Sequence, residues 1–437
     1  MSLRACAAAL LLAACAASAC RAKEGAATLA VSAGASAEDA AAPLEDSGAQ
    51  DDAAESAAAA FAEAPPEEPA FSACNAPSVS FLHAFDDSRT LDALEDCAPD
   101  GGGFTTDGGG GYGWRIAVEQ PVVDRCGHPE QSRDPDLPRI LDSALPLDSK
   151  TVTHVRALFA TGKARGRRPD VFALVGDSIT IDYNFMRPFS WTVGSKVALD
   201  PRVRDALRID DGRRSVIDFF RGALPPDAGD SSGSSFNDSF WSVRAAKIGA
   251  RATWVTTPDS KSTPLDNVIA QLSPAYAIVM FGTNDAEFYL KAPSEVAKLF
   301  GESLRKIVDD LEGAGTIPIL TTIPKHMHDK RFPDCSRDRG AISNARFMIQ
   351  TNAVSAEVAA IACERHIPLI DFRYAIDPLL NHGVAGDGVH PSVYQPIGGG
   401  ILDAAGLQCG FNVRNAVTLR MLKVLYDTVT SRRSAHP

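Results

Sequence analysis

The stretch Val171-Phe172-Ala173-Leu174-Val175-Gly176-Asp177-Ser178 decides the fold. Five apolar residues in succession, with no polar residue to mark a wet face, predict a strand buried on both sides, as in a parallel sheet. Gly176 lets the chain leave that strand sharply, and Asp177 and Ser178 favour turns because their side chains bond nearby backbone. Residues 275–281, 317–323 and 367–372 repeat the apolar pattern. Helices are expected over residues 152–161, 294–313, 341–366 and 399–426. Ser294 is placed to cap the second of these, with Glu295 favourable in its first turn. Strand–helix alternation from about residue 151 predicts an α/β fold, a doubly wound parallel sheet sandwiched by helices with right-handed crossovers.

In such a sheet, reactive side chains collect beyond the carboxyl ends of the strands. Three motifs fall there. Gly176-Asp177-Ser178 follows the first apolar run, and Gly282-Thr283-Asn284-Asp285 follows the second. Asp387-Gly388-Val389-His390-Pro391 lies between the last run and the terminal helix. Taken singly, each also reads as an ordinary turn. A serine hydroxyl is a poor nucleophile until a base takes its proton, and an imidazole titrating near neutrality can do so. His390 has Asp387 three residues upstream. Its rival, His382, has Leu379 in that place.

Together the motifs, in this order and at these strand ends, resemble the SGNH (GDSL-like) serine hydrolases over roughly residues 150–430, at three of the family's four usual blocks. The resemblance implies a flavodoxin-like sheet with Ser178 as nucleophile, His390 as base and Asp387 as the carboxylate that orients it. It also implies an oxyanion hole made of the backbone N–H groups of Ser178 and Gly249 and the side-chain amide of Asn284. Gly249 comes from a divergent second block, Ala245-Ala246-Lys247-Ile248-Gly249-Ala250, which lacks the usual Asn and for which a plain turn is the competing reading. Asp177 is expected to brace the nucleophile turn, and Asp285 to fix the loop bearing Asn284. Tyr183, Phe185, Trp241 and Trp254 flank the expected site, where they suit a sugar ring, an acyl chain or core packing equally. The implied activity is hydrolysis of a carbohydrate or lipid ester without cofactor or metal. The alternative is a catalytically silent glycan-binding or adhesion lipoprotein on the same fold, because a fold does not dictate function.

The rest of the chain concerns placement. Of 437 residues 45% are apolar and 22% charged, enough for a sizeable core. The net charge of −12 is concentrated: residues 21–72 carry eleven acidic and two basic side chains. No basic stripe exists, so a nucleic-acid partner is not expected. Residues 1–14 read as a lipoprotein signal peptide. Arg4 leads an apolar run too short to span a bilayer, which ends in Leu12-Ala13-Ala14-Cys15 and resembles a lipobox with Cys15 as the acylated residue. Cleavage near Ala19 and a lipobox at Cys20 are the competing readings. The expected location is the cell envelope, with a lipid anchor to a membrane, the outer one where there is one. Residues 15–72, rich in Ala, Pro and acidic residues, read as a disordered tether. Residues 73–150 read as a Cys- and Gly-rich extension, disulfide-braced, and residues 151–430 as the hydrolase domain.

Six cysteines, Cys74, Cys97, Cys126, Cys335, Cys363 and Cys409, suit disulfides in an exported chain, with Cys363 open to a free-thiol reading. The glycine run of residues 101–111 lacks the Gly-Lys-Ser/Thr ending of a phosphate loop. His326 and His328 have no evident third metal ligand.

Overall fold

The computed structural model describes residues 135–190, 196–222, 224, 238–259, 261–288, 292–325, 339–385, 387–394 and 398–431. The lipobox, the tether, the glycine run, His326, His328 and the cysteines other than Cys363 and Cys409 lie outside them.

The strands in chain order are β1 (Arg168–Gly176), β2 (Ala198–Leu199), β3 (Arg208–Ile209), β4 (Arg214–Ser215), β5 (Ala245–Ala246), β6 (Pro274–Met280), β7 (Ile317–Thr321), β8 (Leu369–Ile370) and β9 (Ile401–Leu402). Five of them form one parallel sheet in the order β5-β1-β6-β7-β8. Every residue of β6 and β7 is buried, as is β1 from Val171 onward. That burial is why these strands are continuous apolar runs rather than alternating ones. With β1 first in the chain and β5 second, the order is that of a doubly wound sheet whose direction of winding reverses beside β1. The loops leaving β5, β1 and β6 therefore open on the crevice where such folds bind ligands.

Helices cover the sheet. The C-terminal helix Gly410–Thr430 packs on Ser149–Ala164 and Leu137–Asp142, whereas Pro293–Ala314 packs on Arg339–Arg365. The core begins before residue 151. Leu137, Ile140 and Leu145 are buried in it, Leu145 N–H donates to Leu369 O at 3.2 Å, and Asp371 N–H donates to Ser143 O at 2.8 Å. Residues 137–150 thus belong to the hydrolase unit rather than to the upstream extension.

Three local expectations are corrected. The cap of Pro293–Ala314 is Ala292, not Ser294, because Pro293 occupies the first helical position, where its missing N–H costs nothing. The terminal helix starts at Gly410 rather than at residue 399, because Ile401–Leu402 is recruited as β9 to pair with β2, and a side chain at Gly399 would strike Asn184 O at 2.2 Å. The strand expected over residues 367–372 shortens to Leu369–Ile370, since Asp371 turns the chain into a helix by accepting the Tyr374 N–H. No helix among the described residues is long and apolar enough to cross a membrane.

Candidate active site

The turn that carries Ser178 is built at the tip of β1. Gly176 is required there by space: a side chain would meet Thr180 Oγ1 at 2.2 Å and Met280 O at 2.5 Å. The short helix Ser178–Ile181 starts at once, capped by Asp177, whose Oδ1 accepts the Ile179 N–H at 3.0 Å. Ser178 sits at its first position, partly exposed, with its hydroxyl at the rim.

A second loop supplies the partners. Asp387 Oδ1 accepts the backbone N–H groups of Val389 and His390, both at 2.9 Å, and Oδ2 lies 2.6 Å from His390 Nδ1. An ionised carboxylate only accepts, so Nδ1 carries the proton and Nε2 presents its lone pair. His390 Nε2 is 2.9 Å from Ser178 Oγ. The loop is held by the bond from Ala385 N–H to His390 O at 2.7 Å and by the bridge between Val384 and Pro391. The hydrogen bond to Asp387 holds the His390 pKa above its usual 6.5, outweighing the opposing effect of burial. Burial pushes the Asp387 carboxyl up, but the imidazole and the two backbone donors outweigh it and leave the pKa below the usual value. His382 lies elsewhere: its Nδ1 is 3.0 Å from Asp377 Oδ1 and 2.8 Å from Asp377 O.

The remaining predicted groups come from the segments that follow β5 and β6, the two strands that flank β1. β5 pairs with β1 at Val175–Ala245 and Gly176–Ala246, and Lys247 N–H donates to Gly176 O at 3.1 Å. Gly249 follows in an exposed turn just after this pairing, in the left-handed region at φ 70°. Asn284, buried, donates its amide to Asp177 Oδ2 and to Ala250 O, each at 3.2 Å. Asp285 accepts the Ala252 N–H on both oxygens, each at 3.2 Å. The Asn284–Asp285 loop is thereby tied both to the Asp177–Ser178 turn and to the segment after Gly249. Burial raises Asp177 to about 6 and Asp285 to about 7.

Sequence reasoning missed Arg414. It projects from the C-terminal helix, fully buried, and donates to Ile179 O at 2.6 Å and Thr180 Oγ1 at 3.1 Å, clamping the short helix Ser178–Ile181. Its guanidinium stacks 3.5 Å from the Phe185 ring, which accounts for Phe185 as a core residue. Burial lowers its pKa to about 9, and the charges of Asp177 and Asp182 oppose that. The only sequence signal was a single arginine in the run Phe411-Asn412-Val413-Arg414-Asn415-Ala416-Val417, and a surface residue reads the same way.

Residues 172–394, slightly over half of the chain, match the GDSL-like lipase/acylhydrolase family. The chain belongs to that family. It is an ester-bond hydrolase domain, as the order of its motifs implies. No curated protein matches the chain. Several solved structures resemble it, among them the following three. A lipase/acylhydrolase from Enterococcus faecalis is 16% identical, with 58% of this chain and 94% of that one covered and a TM-score of 0.29. Axe2, an acetylxylan esterase from Geobacillus stearothermophilus, is 18% identical, with coverages of 60% and 96% and a TM-score of 0.33. The native aryl esterase of M. smegmatis is 16% identical, with coverages of 57% and 98% and a TM-score of 0.27.

Proposed function

We propose that this GDSL-like hydrolase cleaves a carbohydrate or lipid ester outside the cytoplasm by a Ser178–His390–Asp387 relay. The observation that carries the reading is the unbroken line from Asp387 Oδ2 through the imidazole to Ser178 Oγ, 2.6 Å and 2.9 Å. His390 takes the hydroxyl proton as Oγ attacks the ester carbonyl, and Asp387 stabilises the imidazolium without accepting its proton. The imidazolium then protonates the departing alcohol. Water, activated by the same imidazole, hydrolyses the acyl-serine and regenerates the hydroxyl. The oxyanion is met by the backbone N–H groups of Ser178 and Gly249 and by the amide of Asn284, which exchanges its bond to Ala250 O for the developing charge.

Export rests on the signal-like start and on the cysteines. The even count of six cysteines from Cys74 onward would suit disulfides, which oxidising compartments sustain. Acylation of Cys15 would hold the domain at a membrane on the acidic tether of residues 21–72, facing envelope or polymer substrates.

The test is turnover of acetylated sugars and short-chain aryl esters by the wild type and by His390→Ala. Turnover that disappears in the variant while the fold persists supports the relay. Equal turnover by both would remove His390 from it, and inactivity of the wild type on every ester would favour a glycan-binding role.

A further inference from the structure

A second polar feature lies beside the nucleophile loop and plays no part in the relay. Arg187 follows the nucleophile helix by six residues, is 4% exposed, and makes no hydrogen bond or ion pair with any described residue. Its Nε is sealed from solvent without a partner. The guanidinium sits in the corner of two rings, 4.2 Å from the Tyr183 centroid and 4.8 Å from that of Trp241, and those rings meet edge to face at 5.8 Å. Asp182 and Asp238, the acidic residues flanking this stretch, bond other groups. Asp182 Oδ1 accepts from the backbone and side chain of Asn184, and Asp238 accepts from Ser190 Oγ and the Phe240 N–H.

A buried, unpaired guanidinium is costly, and structures keep one where something else completes it. Ring faces on two sides fix the guanidinium plane, and an anion reaching its N–H edge would find the geometry in which arginine binds carboxylate and phosphate bidentately. The surroundings connect this corner to the reaction. Asp182, immediately before Tyr183, is close enough for its charge to act on His390. Trp241 lies four residues before β5, the strand that leads to Gly249. Tyr183 is 60% exposed, so the aromatic wall faces solvent where a substrate would arrive.

We propose that Arg187, Tyr183 and Trp241 form an anion-recognition subsite, so that the ester hydrolysed carries a carboxylate or phosphate group next to the scissile bond. This deepens the ester-hydrolase reading and rests on it for the identity of the ligand as substrate. Arg187 is a specificity-determining residue in this scheme and takes no part in proton transfer.

The experiment is an equilibrium titration of the full-length protein followed by tryptophan fluorescence, so it needs no turnover. The probes are sodium glucuronate, with glucose as its uncharged counterpart, and inorganic phosphate. Saturable binding of either anion, absent with glucose and at least tenfold weaker in Arg187→Gln, is expected. Binding of glucuronate alone points to an acidic sugar, and of phosphate alone to a phosphate-bearing alcohol. Should Arg187→Gln lose its far-UV circular dichroism, Tyr183→Leu, a change at an exposed ring, should still weaken binding several-fold. Flat titrations of the wild type with both anions, or equal affinity in the variants, overturn the proposal. The bound anion should also slow fluorophosphonate labelling of Ser178; an unchanged rate overturns the placement beside the nucleophile. Absence of any labelling instead strikes the ester-hydrolase reading.

Discussion

Replacing Arg414 with methionine isolates what the C-terminal helix contributes to the short helix that begins at Ser178. The change keeps much of the apolar stem and removes two charge-assisted hydrogen bonds, 2.6 Å to Ile179 O and 3.1 Å to Thr180 Oγ1. A hydrogen bond from a charged group is worth about 1.5–3 kcal/mol, and breaking a buried charged array typically costs about 3–5 kcal/mol. Removal of the buried cation itself refunds part of that, because its Nε has no partner. A net loss of about 3 kcal/mol in denaturant unfolding is therefore expected. The effect on activity is separate. Arg414 helps hold Asp177 ionised, and Asp177 accepts from both Ile179 N–H and Asn284. Without the cation, Asp177 protonates more readily, so the variant's turnover should be most impaired at low pH and recover as the pH rises. Arg414→Lys, which keeps the charge but not the fork, should retain the wild-type pH profile with a smaller loss of stability. A double-mutant cycle with Asp177→Asn should show coupling of about 1 kcal/mol or more. Strict additivity, or a stability loss in Arg414→Met below about 1 kcal/mol, would refute the clamp.

Other outcomes follow from the same geometry. In the proposed relay His390 must be neutral to act as base, and its pKa is held above 6.5, so kcat/KM should rise with pH through an apparent pKa above that value. Asp387→Asn should lower that pKa and reduce kcat by about 10³–10⁴-fold, as measured in a pH–rate series. Asp177 and Asp285 have raised values in the fold, so between about pH 4 and 7 the native state binds more protons than the unfolded chain. Unfolding free energy should fall as pH rises across that window, by up to about 1.4 kcal/mol per pH unit for each group. Asp285→Asn should flatten the slope, and an unchanged slope would contradict the assignment. Cys15→Ser should move the protein from the membrane to the soluble fraction on cell fractionation; continued membrane retention would contradict the anchor.

What the sequence disclosed, and what it hid, divides along physical lines. The run from Val171 to Val175 was legible because a strand covered on both faces has no polar positions to confuse its reading. Ser178, Asn284 and the Asp387–His390 pair were legible because strand ends concentrate chemistry and because a spacing of three lets one carboxylate bond both the imidazole and its backbone N–H. The edge strand Ala245–Ala246 was not, since two alanines carry no periodicity and are strand only through their register with Val175 and Gly176. Residues 399–409 read as helix from composition, whereas pairing with Ala198–Leu199 and the close approach of Gly399 to Asn184 override local propensity. Arg187 and Arg414 were hidden for a different reason. An arginine in a sequence looks solvated, and only the packing of Phe185, Tyr183 and Trp241 around them reveals buried guanidinium groups.

Intact-mass analysis and peptide mapping after exposure to a fluorophosphonate probe measures most directly whether Ser178 is an activated nucleophile. A single adduct on the peptide containing Ser178, lost in Ser178→Ala and slowed when His390 is replaced, is the expected result. An unmodified Ser178 in a correctly folded protein, or an adduct that persists in Ser178→Ala, would contradict the account.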